Sequence, residues 1–335
     1  MGLKQAIKFS LLAFLIAGCA NLKTRRDVRD KGAKTTPTVS APSTSSGTST
    51  PSFPSSPAED EDFETSPAPE EEPPLTTAPT MRIPKVGLIL GPGAARVYAQ
   101  IGVLQELQRE KVPVVAVGGI EWGAVVAALY SNKGLANEAE WQMSKLKSED
   151  FMQRSLIGGR SGPAAASAAS DFLKSAFGPM KAENVKIPFA CPAHNLAKNQ
   201  IFLMSRGAYT QLLPFCMAYP PIFQPWQGNV SAMRDVKMLA DHLRSKGATT
   251  IVLVNVLGNP DPARPVAGEA GSTESVLWNE IAAYYAKPLR GVDHVLTIPL
   301  GNRGLLAFDD RREILHQGSE KGGPLVKQLA RRLGL

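Results

Sequence analysis

Residues 114–130 read Val114-Val115-Ala116-Val117-Gly118-Gly119-Ile120-Glu121-Trp122-Gly123-Ala124-Val125-Val126-Ala127-Ala128-Leu129-Tyr130. The apolar run up to Val117 has the length and branching of a buried strand, and Ala124 to Tyr130 has the composition of a buried helix. Between them Gly119 and Gly123 bracket a tight turn. Strand, turn and helix in this order form a nucleophile elbow, the joint that lifts one residue above the edge of an α/β sheet. The central residue of such an elbow is normally serine, and here it is Glu121.

The pattern extends in both directions. Val86 to Leu90 reads as a short buried strand, Gly91-Pro92-Gly93 as a turn, and Val97, Ile101, Leu104 and Leu107 recur at helical spacing with Glu106, Arg109 and Glu110 expected to face away. Downstream, residues 164–178 read as helix, Pro188 to Cys191 and Gln200 to Leu203 as strands, and Val236 to Lys246 as an amphipathic helix capped at Gly247. Ile251 to Val256 is a further apolar strand, followed by helical Ser275 to Ala286, strand-like His294 to Ile298 and helical Leu325 to Leu333. Strands alternating with helices predict an α/β fold, a largely parallel central sheet covered by helices on both faces.

The chain has 335 residues, 43% hydrophobic, with formal net charge +7. A basic balance admits nucleic acid or an anionic surface as partner, but no Arg/Lys run is interleaved with aromatics, so nucleic acid is set aside. Residues 1–18 read as a signal peptide: Lys4 and Lys8 precede the apolar Phe9 to Ile16, and Leu15-Ile16-Ala17-Gly18-Cys19 resembles a bacterial lipobox with Cys19 as the lipidated residue. The expected location is the bacterial cell envelope. Ala20, rather than Asp, after the cysteine points to the outer membrane if the host is Gram-negative.

Residues 19–82 carry a basic cluster (Lys23, Arg25, Arg26, Arg29, Lys31, Lys34) and then a Pro/Ser/Thr/acidic tract without apolar periodicity, expected to be a disordered tether. The basic cluster is either a solvated run or a contact for anionic headgroups. Residues 83–335 form the folded domain. Cys191 and Cys216 lie in apolar contexts that favour buried free thiols, although an envelope compartment permits a bridge. Neither the cysteines nor the scattered His194, His242, His294 and His316 make a metal pattern. No cofactor is expected, since Gly91-Pro92-Gly93-Ala94-Ala95-Arg96 lacks the ending of a phosphate-binding loop.

From about Val86 to about Gly318 the order of landmarks resembles the patatin-like phospholipase family. Leu88 to Arg96 with Ile101-Gly102-Val103-Leu104 is similar to that family's glycine-rich loop (GGGxRG) and first helix. The segment from Gly119 to Tyr130 is similar to its G-x-S-x-G elbow and helix. Pro188-Phe189-Ala190 and Tyr219 to Pro225 resemble two later landmarks, and Ile251 to Val256 the strand that follows the family's D-G-G helix. The resemblance implies a three-layer α/β/α fold and a Ser–Asp dyad in which serine attacks an ester, aspartate is the base, and loop N–H groups hold the oxyanion.

This chain departs from that pattern at each part. Glu121 stands at the serine position, and a carboxylate attacking an ester would form an anhydride. Pro92, Ala94 and Val97 replace glycines, leaving Gly91, Gly93 and Arg96 of the loop; Pro92 also removes an N–H. No Asp-Gly follows Pro225: register back from Gly247 places Ser231 near the aspartate position, with Asp235 the nearest acid. Three losses in parts that act as a unit imply a domain without esterase activity, a membrane-anchored binding or scaffold module. Its implied partners are the membrane, through Cys19, and a lipid or envelope protein. The alternatives are a divergent lipid acyl hydrolase with an unidentified nucleophile, since Ser161, the nearest serine in a glycine-rich setting, is followed by Pro163 and reads as an exposed loop, and a small-ligand binder built on the old pocket. Glu121 is expected to gain from the helix dipole and to pair with Arg96.

Overall fold

The computed structural model describes residues 83–146, 166–220 and 222–335. The residues read as signal peptide (1–18), Cys19, the basic cluster, the stretch expected to be a tether and Ser161 lie outside the described residues.

Among the described residues seven strands form one sheet in the order β4-β3-β2-β1-β6-β7, with β5 pairing β3. The strands are β1 (Val86–Leu90), β2 (Val114–Gly119), β3 (Phe189–Asn195), β4 (Gln200–Met204), β5 (Asn229–Ser231), β6 (Thr250–Asn255) and β7 (His294–Thr297). The pairs β1/β2, β1/β6, β2/β3 and β6/β7 are parallel, while β4 and β5 run antiparallel to β3. This is an α/β fold with a mostly parallel central sheet and flanking helices.

The helices are α1 (Tyr98–Arg109), α2 (Trp122–Lys133), α3 (Ala136–Ser144), α4 (Ser170–Phe177), α5 (Tyr209–Met217), α6 (Val236–Ser245), α7 (Thr273–Tyr285) and α8 (Arg311–Arg332). Strand side chains alternate between faces, and two neighbouring glycines show how both faces are covered. A methyl at Gly118 would meet Leu239 of α6 at 2.7 Å, and one at Gly119 would meet Ala124 of α2 at 2.4 Å. The sheet thus lies between α2 and α6, and β1, with all five residues buried, needs the continuous apolar run that marked it in the sequence.

Several expectations change. Glu106, expected outward, is 2% exposed: it accepts from the Ser319 hydroxyl and from Arg109 Nη1 at 2.8 Å. The last helix begins at Arg311, far ahead of Leu325, and runs through Gly318, Gly322, Gly323 and Pro324. Glycine and proline ordinarily weaken a helix, but α8 lies so close to α1 that a methyl on Gly318 would stand 2.1 Å from the Ala99 carbonyl oxygen, and one on Gly102 would stand 2.4 Å from the Leu315 carbonyl. Helix α3, helix α5 with its internal Pro214, and the three-residue β5 carry patterns too short or too interrupted to read. The alanine-rich segment begins as a 3₁₀ turn, Ala166–Ala169, before α4.

Cys191 of β3 and Cys216 of α5 are joined by a disulfide, with Cα atoms 6.0 Å apart, and both are fully buried. This overturns the reading as free thiols. The apolar contexts were read correctly as burial, but they say nothing about which buried sulfurs meet.

Candidate functional site

Glu121 is the N-cap of α2, directly after β2, with φ 56° and ψ −129°. For a residue with a Cβ this backbone region is sparsely populated and costs about 1–3 kcal/mol, so the surrounding packing must impose it. Gly123 shows how tight the joint is: a methyl there would stand 2.4 Å from the carbonyl oxygens of both Leu90 and Gly91. Ile120 N–H donates to Leu90 O at 3.0 Å, tying the elbow to the end of β1.

The Glu121 side chain is fully buried. Its Oε2 accepts from the backbone N–H of Gly93 at 3.0 Å and of Ala94 at 2.9 Å. Two consecutive N–H groups converging on one oxygen form a cradle for a negative oxygen, the arrangement that in acyl hydrolases holds the oxyanion. Here the chain's own carboxylate occupies it. Burial pushes the carboxyl pKa from 4.5 up to about 7, against the opposing effect of backbone N–H groups of Gly93, Ala94 and Trp122. Oε1 has no hydrogen-bond partner among the described residues.

The loop reading is corrected by this geometry. The missing Pro92 N–H leaves the cradle intact, because the two residues after it supply the donors. Ala94 adopts φ 46°, a conformation that glycine takes without strain and alanine does not, so the replacement is strained as its reading implied, yet its N–H still reaches the carboxylate. Of the three loop residues singled out, Gly93 alone donates to the carboxylate. Gly91 N–H donates to Val254 O at 3.0 Å, and Gly91 O accepts from Gln100 Nε2 at 2.6 Å. Gln100, fully buried on α1 and unremarked in the sequence, therefore helps fix the loop; polar residues on a buried helical face are the signal that could have found it.

Arg96 does not pair with Glu121. Its guanidinium, 1% exposed, donates through Nε to Val256 O at 2.7 Å, through Nη2 to Leu257 O at 3.3 Å and through Nη1 to the carbonyls of Gly301 and Arg303. It ties the strand-end loops together, and burial lowers its pKa to about 10.

Ser231, at the end of β5, is 2% exposed, and its Oγ accepts from the Glu121 backbone N–H at 3.0 Å. A hydroxyl there orients the elbow but cannot take a proton as a carboxylate base would. Asp235 lies at the N-cap of α6, where burial raises its pKa. Among the described residues no histidine hydrogen-bonds Glu121 or Ser231; His194 Nε2 lies 3.0 Å from Asn199 Oδ1. Trp122 is fully buried, its ring 6.0 Å from Phe223 and 5.9 Å from Phe308, so the residue after Glu121 is packed into the core. The described residues contain no cluster of metal-ligating side chains.

A mostly parallel α/β sheet, a strained elbow after a central strand and a backbone N–H cradle facing it define the frame of an α/β acyl hydrolase. A sequence model of the patatin-like phospholipase family matches residues 88–238 of this chain. Uncharacterised NTE family proteins of Mycobacterium bovis and Mycobacterium tuberculosis are 28% identical over 164 residues, 47% of this chain and 42% of theirs. Lysophospholipase NTE1 of Chaetomium globosum is 26% identical over 204 residues, 58% of this chain and 13% of that protein. The chain thus spans less than half the length of these relatives. Among solved structures, VipD from Legionella pneumophila aligns with a TM-score of 0.36 at 11% identity, covering 72% of this chain and 66% of that one.

Proposed function

We propose that this chain is a membrane-anchored lipoprotein whose patatin-like domain no longer hydrolyses esters and acts as a binding or scaffold module at the cell envelope. The observation that carries the reading is the Glu121 carboxylate seated on the Gly93 and Ala94 N–H groups. An ester oxygen would need those donors, and the elbow offers no hydroxyl or thiol to attack it. Ser231 in place of a carboxylate base removes the second half of the chemistry.

The anchoring half of the proposal rests on the lipobox ending at Cys19, and the buried Cys191–Cys216 disulfide accords with an oxidising compartment. Cys19→Ala is expected to move the protein from the membrane to the soluble fraction; retention on membranes would refute the anchor.

The name of one relative, lysophospholipase, favours a second reading as a divergent acyl hydrolase. Purified full chain, Glu121→Ala and Glu121→Ser, assayed on short acyl esters and on lysophosphatidylcholine, separate the two. All three proteins are expected to stay at the uncatalysed rate, Glu121→Ser included, because among the described residues the side chain hydrogen-bonded to the elbow N–H is the Ser231 hydroxyl rather than a carboxylate base. Turnover that survives Glu121→Ala and disappears on substitution of another residue would establish the second reading.

A further inference from the structure

Helices α1 and α8 run side by side in the same direction, Gly318 against Ala99, Gly322 against Val103 and Gly323 against Glu106. Past the last of these contacts they leave a cleft of about 630 Å3, within the size range of small-molecule sites. Its floor includes the Glu106 carboxylate, 2% exposed and held by Ser319 and Arg109. Gly323 lies directly over that carboxylate: a methyl there would stand 3.2 Å from Glu106 Oε2. Glycine inside a helix costs about 1 kcal/mol relative to alanine, and what it provides here is clearance above the acceptor. Pro324, next in the chain, has no N–H, so the carbonyl of Glu320, itself a lining residue, lacks its usual donor four residues on.

Apart from Glu320, the charged residues of the rim have the opposite sign. Lys327 and Arg331 line the cleft one helical turn apart, and neither has an ion-pair partner among the described residues. The positions three and four residues before Lys327, where a helix would place a neutralising acid, are Pro324 and Gly323. Cations near a helix end complement its dipole, which accounts for Arg331 in the last turn of α8 but not for the acceptor floor beneath it.

We propose that this cleft binds a phosphate ester that also carries a hydroxyl, the phosphate lying on Lys327 and Arg331 and the hydroxyl donating to Glu106. Phosphate suits two neighbouring cations, and a buried carboxylate next to them selects a ligand with a donor over a bare anion. The same chemistry occurs in a soluble polyol phosphate and in a glycerophospholipid headgroup. The site lies at the end of α1 away from the elbow and does not depend on whether Glu121 is silent.

The test uses the full chain carrying Cys19→Ala, titrated calorimetrically with glycerol 3-phosphate and with inorganic phosphate, and co-sedimented with vesicles of phosphatidylglycerol or of phosphatidylcholine. Glycerol 3-phosphate is expected to bind saturably and more tightly than inorganic phosphate, and the double change Lys327→Ala/Arg331→Ala to weaken it about tenfold or more. Gly323→Ala is expected to erase the preference over inorganic phosphate. Binding to phosphatidylglycerol vesicles alone, lost in the double variant, would assign the site to a lipid headgroup. Absence of saturable binding to any probe, equal recovery on both lipids without glycerol 3-phosphate binding, or affinity unchanged in the double variant would overturn the assignment.

Discussion

Glu121→Gln is expected to flatten the pH dependence of stability between about pH 5 and about pH 8. The wild-type carboxyl has its pKa raised from 4.5 to about 7 in the folded state. Between those values the unfolded chain gives up a proton that the folded chain retains, so the folded state loses stability as pH rises through this window. The loss amounts to about 3 kcal/mol once the pH passes the folded pKa. Glutamine keeps an oxygen for the Gly93 and Ala94 N–H groups but has no proton to lose. Its amide nitrogen, placed where Oε1 has no partner, costs about 1–3 kcal/mol. That cost applies equally at both pH values and leaves the slope untouched. Urea unfolding of both proteins across the range reads the difference; parallel curves would mean that Glu121 does not titrate in the cradle.

The second large effect lies where α1 meets α8. Gly318→Ala adds a methyl 2.1 Å from the Ala99 carbonyl oxygen and 2.5 Å from its Cα, both backbone atoms that cannot swing aside. Alanine gains about 1 kcal/mol in helix propensity, but the helices must separate, and such overpacking costs about 3 kcal/mol or more at a backbone contact. For a unit of this size the melting temperature should fall by several degrees, roughly 4–8 °C for a net 2 kcal/mol. Gly322→Ala is the internal control: its methyl meets the Val103 Cγ2 at 2.9 Å, the end of a side chain that can shift. A thermal melt in which Gly318→Ala is as stable as Gly322→Ala would show that the helices are not held at this distance.

Much of the frame was legible because it is written in local periodicity. The runs Val86–Leu90, Val114–Val117 and Ile251–Val256 each mark a parallel strand, Val256 falling just past the end of its strand, and the two-glycine turn around Glu121 could be read as an elbow without knowing what packs on it. Features decided by tertiary approach were not legible. Gly318 and Gly323 look like helix breakers until another helix lies against them. The Pro92 and Ala94 changes looked destructive, yet the cradle needs only that the Gly93 and Ala94 N–H groups point the same way, a matter of φ and ψ rather than residue type. Arg96 could be read as a cation near Glu121 but not as a clamp on four carbonyls, because those carbonyls arrive from residues 256–303. The pairing of Cys191 with Cys216 depends likewise on where α5 docks on β3.

This geometry also shifts the reading of the site from decay towards occupation. Three degraded parts would leave a loose pocket. The described residues instead show a strained elbow and loop, held in place by packing and closed around a carboxylate that supplies the negative oxygen itself. The helix end and the N–H groups favour that charge, while burial opposes it.

The seating of Glu121 in its cradle is tested most directly by the amide protons of Gly93 and Ala94, followed by NMR as pH is varied. Both resonances should move together with a midpoint near the Glu121 pKa of about 7, and the movement should vanish in Glu121→Gln. Amide shifts at Gly93 and Ala94 that ignore both pH and the substitution would contradict the account, because the donors would then be holding something other than this carboxylate.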